Sequence, residues 1–198
     1  MTLRAAGYVG VSLWLALAPA WAGDASARSP AEIMDILMWN REPVGGPFEL
    51  IDQTGRVRTE RDFRGRLLLV YFGFTFCPDV CPTDLQAIGL ALDKLGGDAD
   101  SVQPLFITVD PERDTPRVLK AYAANFSPRL VALSGSAEEI AAVAKAYRIY
   151  YKKVGEGADY SMDHTGLIYL MGPDGRYLAH FSPEATADDI VKDLRQRF

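Results

Sequence analysis

Apolar positions along this chain fall into two alternating patterns, continuous short runs and helically spaced stretches, which together predict an α/β sheet protein. The run LLLVYFGF, residues 67–74, is apolar throughout and rich in strand formers, as expected of a strand buried on both faces between parallel neighbours. PLFITV, residues 104–109, is a second such strand, and LVAL, residues 130–133, a shorter third. Between them the period changes. After Pro82, Leu85, Ile88, Leu92 and Leu95 recur at helical spacing until Gly96 and Gly97 end the helix. Thr115 and Pro116 open the next helix as a cap and a first-turn proline, with Val118, Leu119 and Tyr122 on its inner face. SAEEIAAVAKAY, residues 136–147, begins with a capping box of Ser136 and Glu139 and buries Ile140, Val143 and Tyr147. A last helix starts near Thr186 and buries Ile190, Val191 and Leu194.

Two further stretches read as hairpins. PFELIDQTGRVRTE, residues 47–60, holds two short strands around a turn at 52–55. GLIYLMGPDGRYLAHF, residues 166–181, turns back at 172–175. The predicted order is hairpin, strand, helix, strand, helix, short strand, helix, hairpin and closing helix. That is an α/β sandwich with a mixed sheet. No internal repeat or low-complexity segment interrupts it.

The N-terminus belongs to something else. Arg4 precedes AAGYVGVSLWLALAPA, an uncharged apolar run over residues 5–20, and Ala20 and Ala22 form an A-x-A arrangement. This is the pattern of a secretory signal peptide cleaved after Ala22. The alternative is an uncleaved anchor, against which stand the short run and its Gly7 and Gly10. Both place the remaining chain outside the cytoplasm. Residues 23–46 form a flexible, partly helical lead-in, and residues 47–198 the folded domain. With 198 residues, 48% hydrophobic and 24% charged, the chain supports one core. Its net charge of -5 offers no basic excess for phosphates, which argues against nucleic-acid binding.

Export changes how the two cysteines are read. Cys77 and Cys81 sit in FCPDVCP, directly after the first central strand. Outside the cytoplasm such a pair is oxidised, kept reduced, or capped by metal. Pro82 suits the first helical position, which places Cys81 at the helix N-cap and Cys77 in the preceding turn. Both sulfurs then lie near the positive end of a helix dipole, which favours thiolate. A bridge across so small a loop constrains the unfolded chain little, which weighs against a mere staple. A redox dithiol and a pair of metal thiolates stay open. Only two histidines exist, His164 and His180. His180 ends a hairpin strand and reads as structural. His164 lies in DYSMDHTGLIYL, in a polar loop before a strand, with Asp163 beside it as a candidate to orient its ring. Two thiolates and one imidazole suit copper, Cu(I) in particular, and would also be accepted by zinc.

At this point the residues resemble a known family. FTFCPDVCP, VDPERDTP over 109–116, YRIYYKKV over 147–154 and DHTGLIYLMGPDG resemble the Sco/SenC family in that order and spacing. The likeness covers roughly residue 46 to the C-terminus. It implies a thioredoxin-like fold, with a central mixed β-sheet flanked by helices and an N-terminal β-hairpin extension. It also implies copper, as Cu(I) or Cu(II), bound by Cys77, Cys81 and His164. Members are copper chaperones that help build the binuclear copper site of cytochrome c oxidase. Some act instead, or also, as thiol-disulfide reductases that keep the oxidase's cysteines reduced. The implied partners are the copper-bearing subunit of the oxidase, other copper chaperones and thioredoxin-like reductants. The implied place is the periplasm, or the inner membrane facing it, with membrane association through the N-terminal segment.

Three functions follow in order. The first is a copper-binding assembly factor, not an enzyme in the usual sense. The second is a thiol-disulfide oxidoreductase using Cys77 and Cys81 as its catalytic pair. The third is a related peroxidase, against which stand Thr75 before the first cysteine and the lack of a separate resolving cysteine. The acidic segment Asp110, Glu112, Arg113 and Asp114 follows the second central strand and should face the same edge as the thiols. It reads as a solvated helix-start loop, or as a partner-docking surface or support for the site.

Overall fold

Two strands buried along their whole length organise the molecule. The computed structural model describes residues 43–157 and 159–198. The expected signal peptide and most of the lead-in lie outside the described residues. Strands β3 (Leu67–Gly73) and β4 (Val102–Thr108) pair in parallel from Leu67↔Val102 to Gly73↔Thr108. Neither strand has a polar face because the sheet is covered on both sides, as their continuous apolar runs demanded.

The other strands add outward from this pair. β5 (Val131–Ser134) runs parallel to β4. The hairpin of β1 (Glu49–Asp52) and β2 (Val57–Thr59) adds antiparallel to β5. On the opposite side, β8 (Ile168–Met171) and β9 (Tyr177–Phe181) run antiparallel to β3 and to one another. The resulting seven-stranded mixed sheet has the order β2-β1-β5-β4-β3-β8-β9. Helices α1 (Val80–Leu95), α2 (Pro116–Ala123), α3 (Ala137–Ala146) and α4 (Ala187–Leu194) flank it. α1 and α4 lie together, joined by Lys94 to Asp188 at 2.6 Å and by the Glu184 N–H to buried Asp84 Oδ1 at 3.1 Å.

Helix starts follow the local chemistry closely. Thr115 Oγ1 accepts from Val118 N ahead of Pro116, and Ser136 and Glu139 form the reciprocal box. Thr186 and Asp189 do the same for α4. Gly96 closes α1 at φ +60°, a conformation costly for a side chain bearing a Cβ. One start differs from the sequence expectation. α1 begins at Val80 after Asp79, so Cys81 is the second helical residue and not the N-cap. Pro82 is third, still within the first turn, where backbone N–H groups have no helical partner to lose.

A two-stranded ribbon stands apart from the sheet. β6 (Tyr151–Val154) pairs antiparallel with β7 (Ser161–His164), and neither joins the large sheet. His164 therefore ends a strand, where the sequence suggested a loop. No helix among the described residues is long and apolar enough to cross a membrane.

Candidate metal and thiol site

Parallel strands β3 and β4 end side by side, with Val109 N donating to Gly73 O at 2.8 Å. The chain then leaves β3 in a tight turn that carries Cys77. Its N–H donates to Phe74 O at 3.3 Å. Cys81 follows on the first turn of α1, fully buried, while Cys77 is half-buried. The site thus occupies the carboxyl edge of the parallel strands, where open α/β sheets place their ligands.

Both cysteines are free thiols, and they are not equivalent. Cys81 N donates to Cys77 Sγ at 3.4 Å. Hydrogen bonding from the Cys81 side chain, more than anything else, holds the Cys77 thiol far below its ordinary range, with His164 and backbone N–H groups adding to it against burial. The same interaction and burial push Cys81 up. The two sulfurs therefore differ, Cys77 being the one that favours the thiolate form.

His164 completes the group from across the chain. Its Nε2 lies 3.4 Å from Cys81 Sγ, although 83 residues separate the two in sequence. Its Nδ1 lies 3.1 Å from the Thr165 carbonyl oxygen. A carbonyl only accepts, so this contact is made by the tautomer with its proton on Nδ1, with Nε2 turned toward Cys81. That is also the tautomer a metal requires. Edge-on packing against Phe74, with centroids 5.8 Å apart, and against Tyr71 at 6.4 Å fixes the ring plane.

The structure brings Cys77, Cys81 and His164 together and leaves the other two candidates outside. Asp163 does not orient His164. Strand alternation turns it away, exposed and opposite Lys152 on the ribbon, and the Thr165 carbonyl takes the role expected of it. His180 is exposed on edge strand β9 and engages Tyr177, whose hydroxyl lies 2.6 Å from its Nδ1.

The acidic segment proves to be structural support. Buried Asp114 accepts from Thr75 N at 3.0 Å, Thr75 Oγ1 at 2.5 Å and Thr108 Oγ1 at 2.6 Å, pinning the turn before Cys77 to the end of β4. Burial pushes its carboxyl up, against those three bonds. Asp110 accepts from Tyr160 Oη at 2.6 Å and from Arg113 Nε at 2.5 Å. Sequence reasoning missed Tyr160. Its signal was a large aromatic four positions before His164, which strand alternation puts on the histidine's face.

Do these residues fit a metal? Among the described residues, no group of three His, Cys, Asp or Glu side chains is already spaced as a metal cage. Cys77 Sγ instead accepts from Cys81 N, and Cys81 Sγ lies against His164 Nε2. The donor set is nonetheless that of a soft metal: one thiolate, one thiol that ionises on binding, and an imidazole lone pair.

Known proteins place this geometry in context. A model described as SCO1/SenC matches residues 38–198. The mitochondrial SCO2 homologue of Bos taurus is 46% identical over 155 residues, covering 76% of this chain and 58% of the relative. The chain thus spans little more than half the length of that curated relative. Among solved structures, Bradyrhizobium japonicum ScoI with copper bound is 48% identical, with a TM-score of 0.74 over 78% of this chain and 99% of that one. BsSco, described as a member of the Sco family of cytochrome c oxidase assembly proteins with a disulfide switch, is 31% identical, with a TM-score of 0.63 over 78% and 95% of the two chains. These likenesses fix the fold as the thioredoxin-like mixed sheet of Sco structures.

Proposed function

The chain belongs to the SCO1/SenC family, and from that premise we propose that it binds copper through Cys77, Cys81 and His164 and delivers it during assembly of the binuclear copper site of a cytochrome c oxidase. The observation that carries the proposal is the meeting of His164 Nε2 with Cys81 Sγ at 3.4 Å, beside Cys77 Sγ, which accepts from Cys81 N at 3.4 Å. Copper is cargo here. Cu(I) enters between the sulfurs, the Cys81 proton leaves, and the Nε2 lone pair supplies the third donor. Three donors at a half-exposed edge leave one side open for transfer to a receiving thiolate. The setting we propose is outside the cytoplasm, as the N-terminal pattern suggests.

A second role rests on the inequality of the thiols. Cys77, accessible and ionised, attacks a partner disulfide and forms a mixed disulfide, releasing one partner thiolate. Cys81, once its proton is lost, attacks Cys77, frees the second partner thiolate and closes the internal bridge. Two electrons pass to the partner, which leaves as a dithiol. Disulfide reduction and copper binding are then alternative states of one pair, because the bridge consumes both sulfur ligands.

Substitution of the histidine separates the two roles. His164→Ala should weaken Cu(I) binding in a competition titration by at least the roughly ten- to hundredfold cost of losing a group that orients a ligand, while the dithiol still oxidises reversibly. Native Cu(I) affinity in this variant would remove His164 from the site.

A further inference from the structure

We propose that Tyr160 is the positioning residue that seats His164 over the two sulfurs, acting through Arg113. The proposal rests on the three-ligand copper site above and adds the residue that holds its third donor in place.

His164 ends a ribbon whose two strands pair only with each other. A cleft of about 350 Å³ runs between that ribbon and the body, bounded by Val109, Glu112, Ile140, Lys152 and Met162. An isolated pair of short strands is marginally stable at best. Its placement is therefore decided where it is tied to the rest of the molecule.

Met162 and Tyr151 pack on the core, and the polar and stacking ties gather at Tyr160, the residue just before β7. It shares a face with Met162 and His164, and both Tyr160 and Met162 are buried. Its hydroxyl donates to Asp110 at 2.6 Å, and its carbonyl accepts from Arg113 Nη1 at 2.8 Å. The Arg113 guanidinium stacks 3.6 Å from its ring centroid. Lys153 of β6 lies 3.7 Å from the same ring and 3.1 Å from Glu112. Contacts at the other end, between Tyr150 and Thr165, link the ribbon's own flanks and do not seat it.

Arg113 reaches the thiol side as well. Its guanidinium lies 4.5 Å from the ring centroid of Phe76, the residue before Cys77. One planar cation thus contacts the aromatic leading to His164 and the aromatic leading to the first sulfur. Such stacks depend on the flat guanidinium, which lysine cannot reproduce. This contact joins the segment that carries the imidazole to the turn that carries the first sulfur.

Cu(I) competition titrations on the full chain test the proposal, with native protein, His164→Ala, Tyr160→Leu, Tyr160→Phe and the Tyr160→Leu/His164→Ala double variant. Tyr160→Leu should weaken Cu(I) binding about ten- to hundredfold, the range for losing a group that orients a ligand. X-ray absorption of its copper-loaded form should show reduced nitrogen scattering. Tyr160→Phe keeps the ring under Arg113 and should stay close to native. In the His164→Ala background, Tyr160→Leu should cost nothing more, because the residue acts only through the histidine. If Tyr160→Leu fails to fold, Arg113→Lys probes the same contact and should show the same nitrogen loss.

The failures are distinguishable. If His164→Ala binds Cu(I) like native protein, the ligand set falls and the positioning role with it. If His164→Ala is weakened but folded Tyr160→Leu or Arg113→Lys binds like native, only the positioning role falls. Equal weakening in the His164→Ala background also overturns it, since the tyrosine would then support the fold and not the ligand.

Discussion

Cys77 and Cys81 differ in exposure and in thiol acidity, and that difference decides which sulfur reacts first. Cys77 is the more exposed and its pKa is pushed down, chiefly by hydrogen bonding from Cys81; Cys81 is buried and its own is pushed up. Iodoacetamide should therefore label Cys77 first, at a rate nearly flat between roughly pH 6 and 8. Over that range an ordinary thiol of pKa about 8.5 would speed up more than about fiftyfold. The sign follows from the depressed pKa: the reactive anion is already complete at the lower end of the range, and raising the pH adds none. Rates that climb like a free thiol, or first labelling at Cys81 by mass spectrometry, would contradict this assignment. Residue chemistry was largely legible in the sequence here, because spacing and Pro82 put both sulfurs at a helix start. The misplaced cap moved Cys81 by two positions, from the N-cap to the second helical residue, and left it in the first turn.

Among elements, the junction of β3 with α1 carries the tightest requirement. A Cβ on Gly73 would lie 2.9 Å from Phe106 Cε2, 3.0 Å from Cys81 Sγ and 3.1 Å from Tyr71 Cε1. None of these is the free end of a flexible chain, so the strand and the helix bearing the thiols would have to separate. Gly73→Ala should cost about 1–3 kcal/mol, read as a lower urea midpoint, and should weaken Cu(I) binding as well. An unchanged midpoint would show that the junction is looser than described. The elements also show which signals sequence carries. β3 and β4 declared themselves because burial on both faces leaves an unbroken apolar run. The ribbon did not. β6 is YKKV, with only Tyr151 partly covered, and β7 is four residues long with Met162 alone fully inside. Neither has enough period to distinguish a strand from a loop. The group that orients His164 was invisible for a different reason. It is the carbonyl of Thr165, and a backbone acceptor has no letter in the sequence, so the neighbouring Asp163 drew attention instead.

At the scale of the whole molecule, distant segments converge on one edge. The turn after β3 brings the thiols, the segment after β4 brings Asp110 to Asp114, and the ribbon brings the imidazole. No short motif holds the site, which is why the resemblance needed four stretches in order and not one cysteine pair. The same convergence makes redox state a control on metal binding, since closing the Cys77–Cys81 bridge removes two of three donors. X-ray absorption at the copper edge, on reduced and on oxidised protein exposed to Cu(I), tests this most directly. Reduced protein should hold one copper with two sulfur and one nitrogen neighbours, and the disulfide form should hold none. Sulfur-only ligation in the reduced protein, or copper retained by the disulfide form, would contradict the three-donor site.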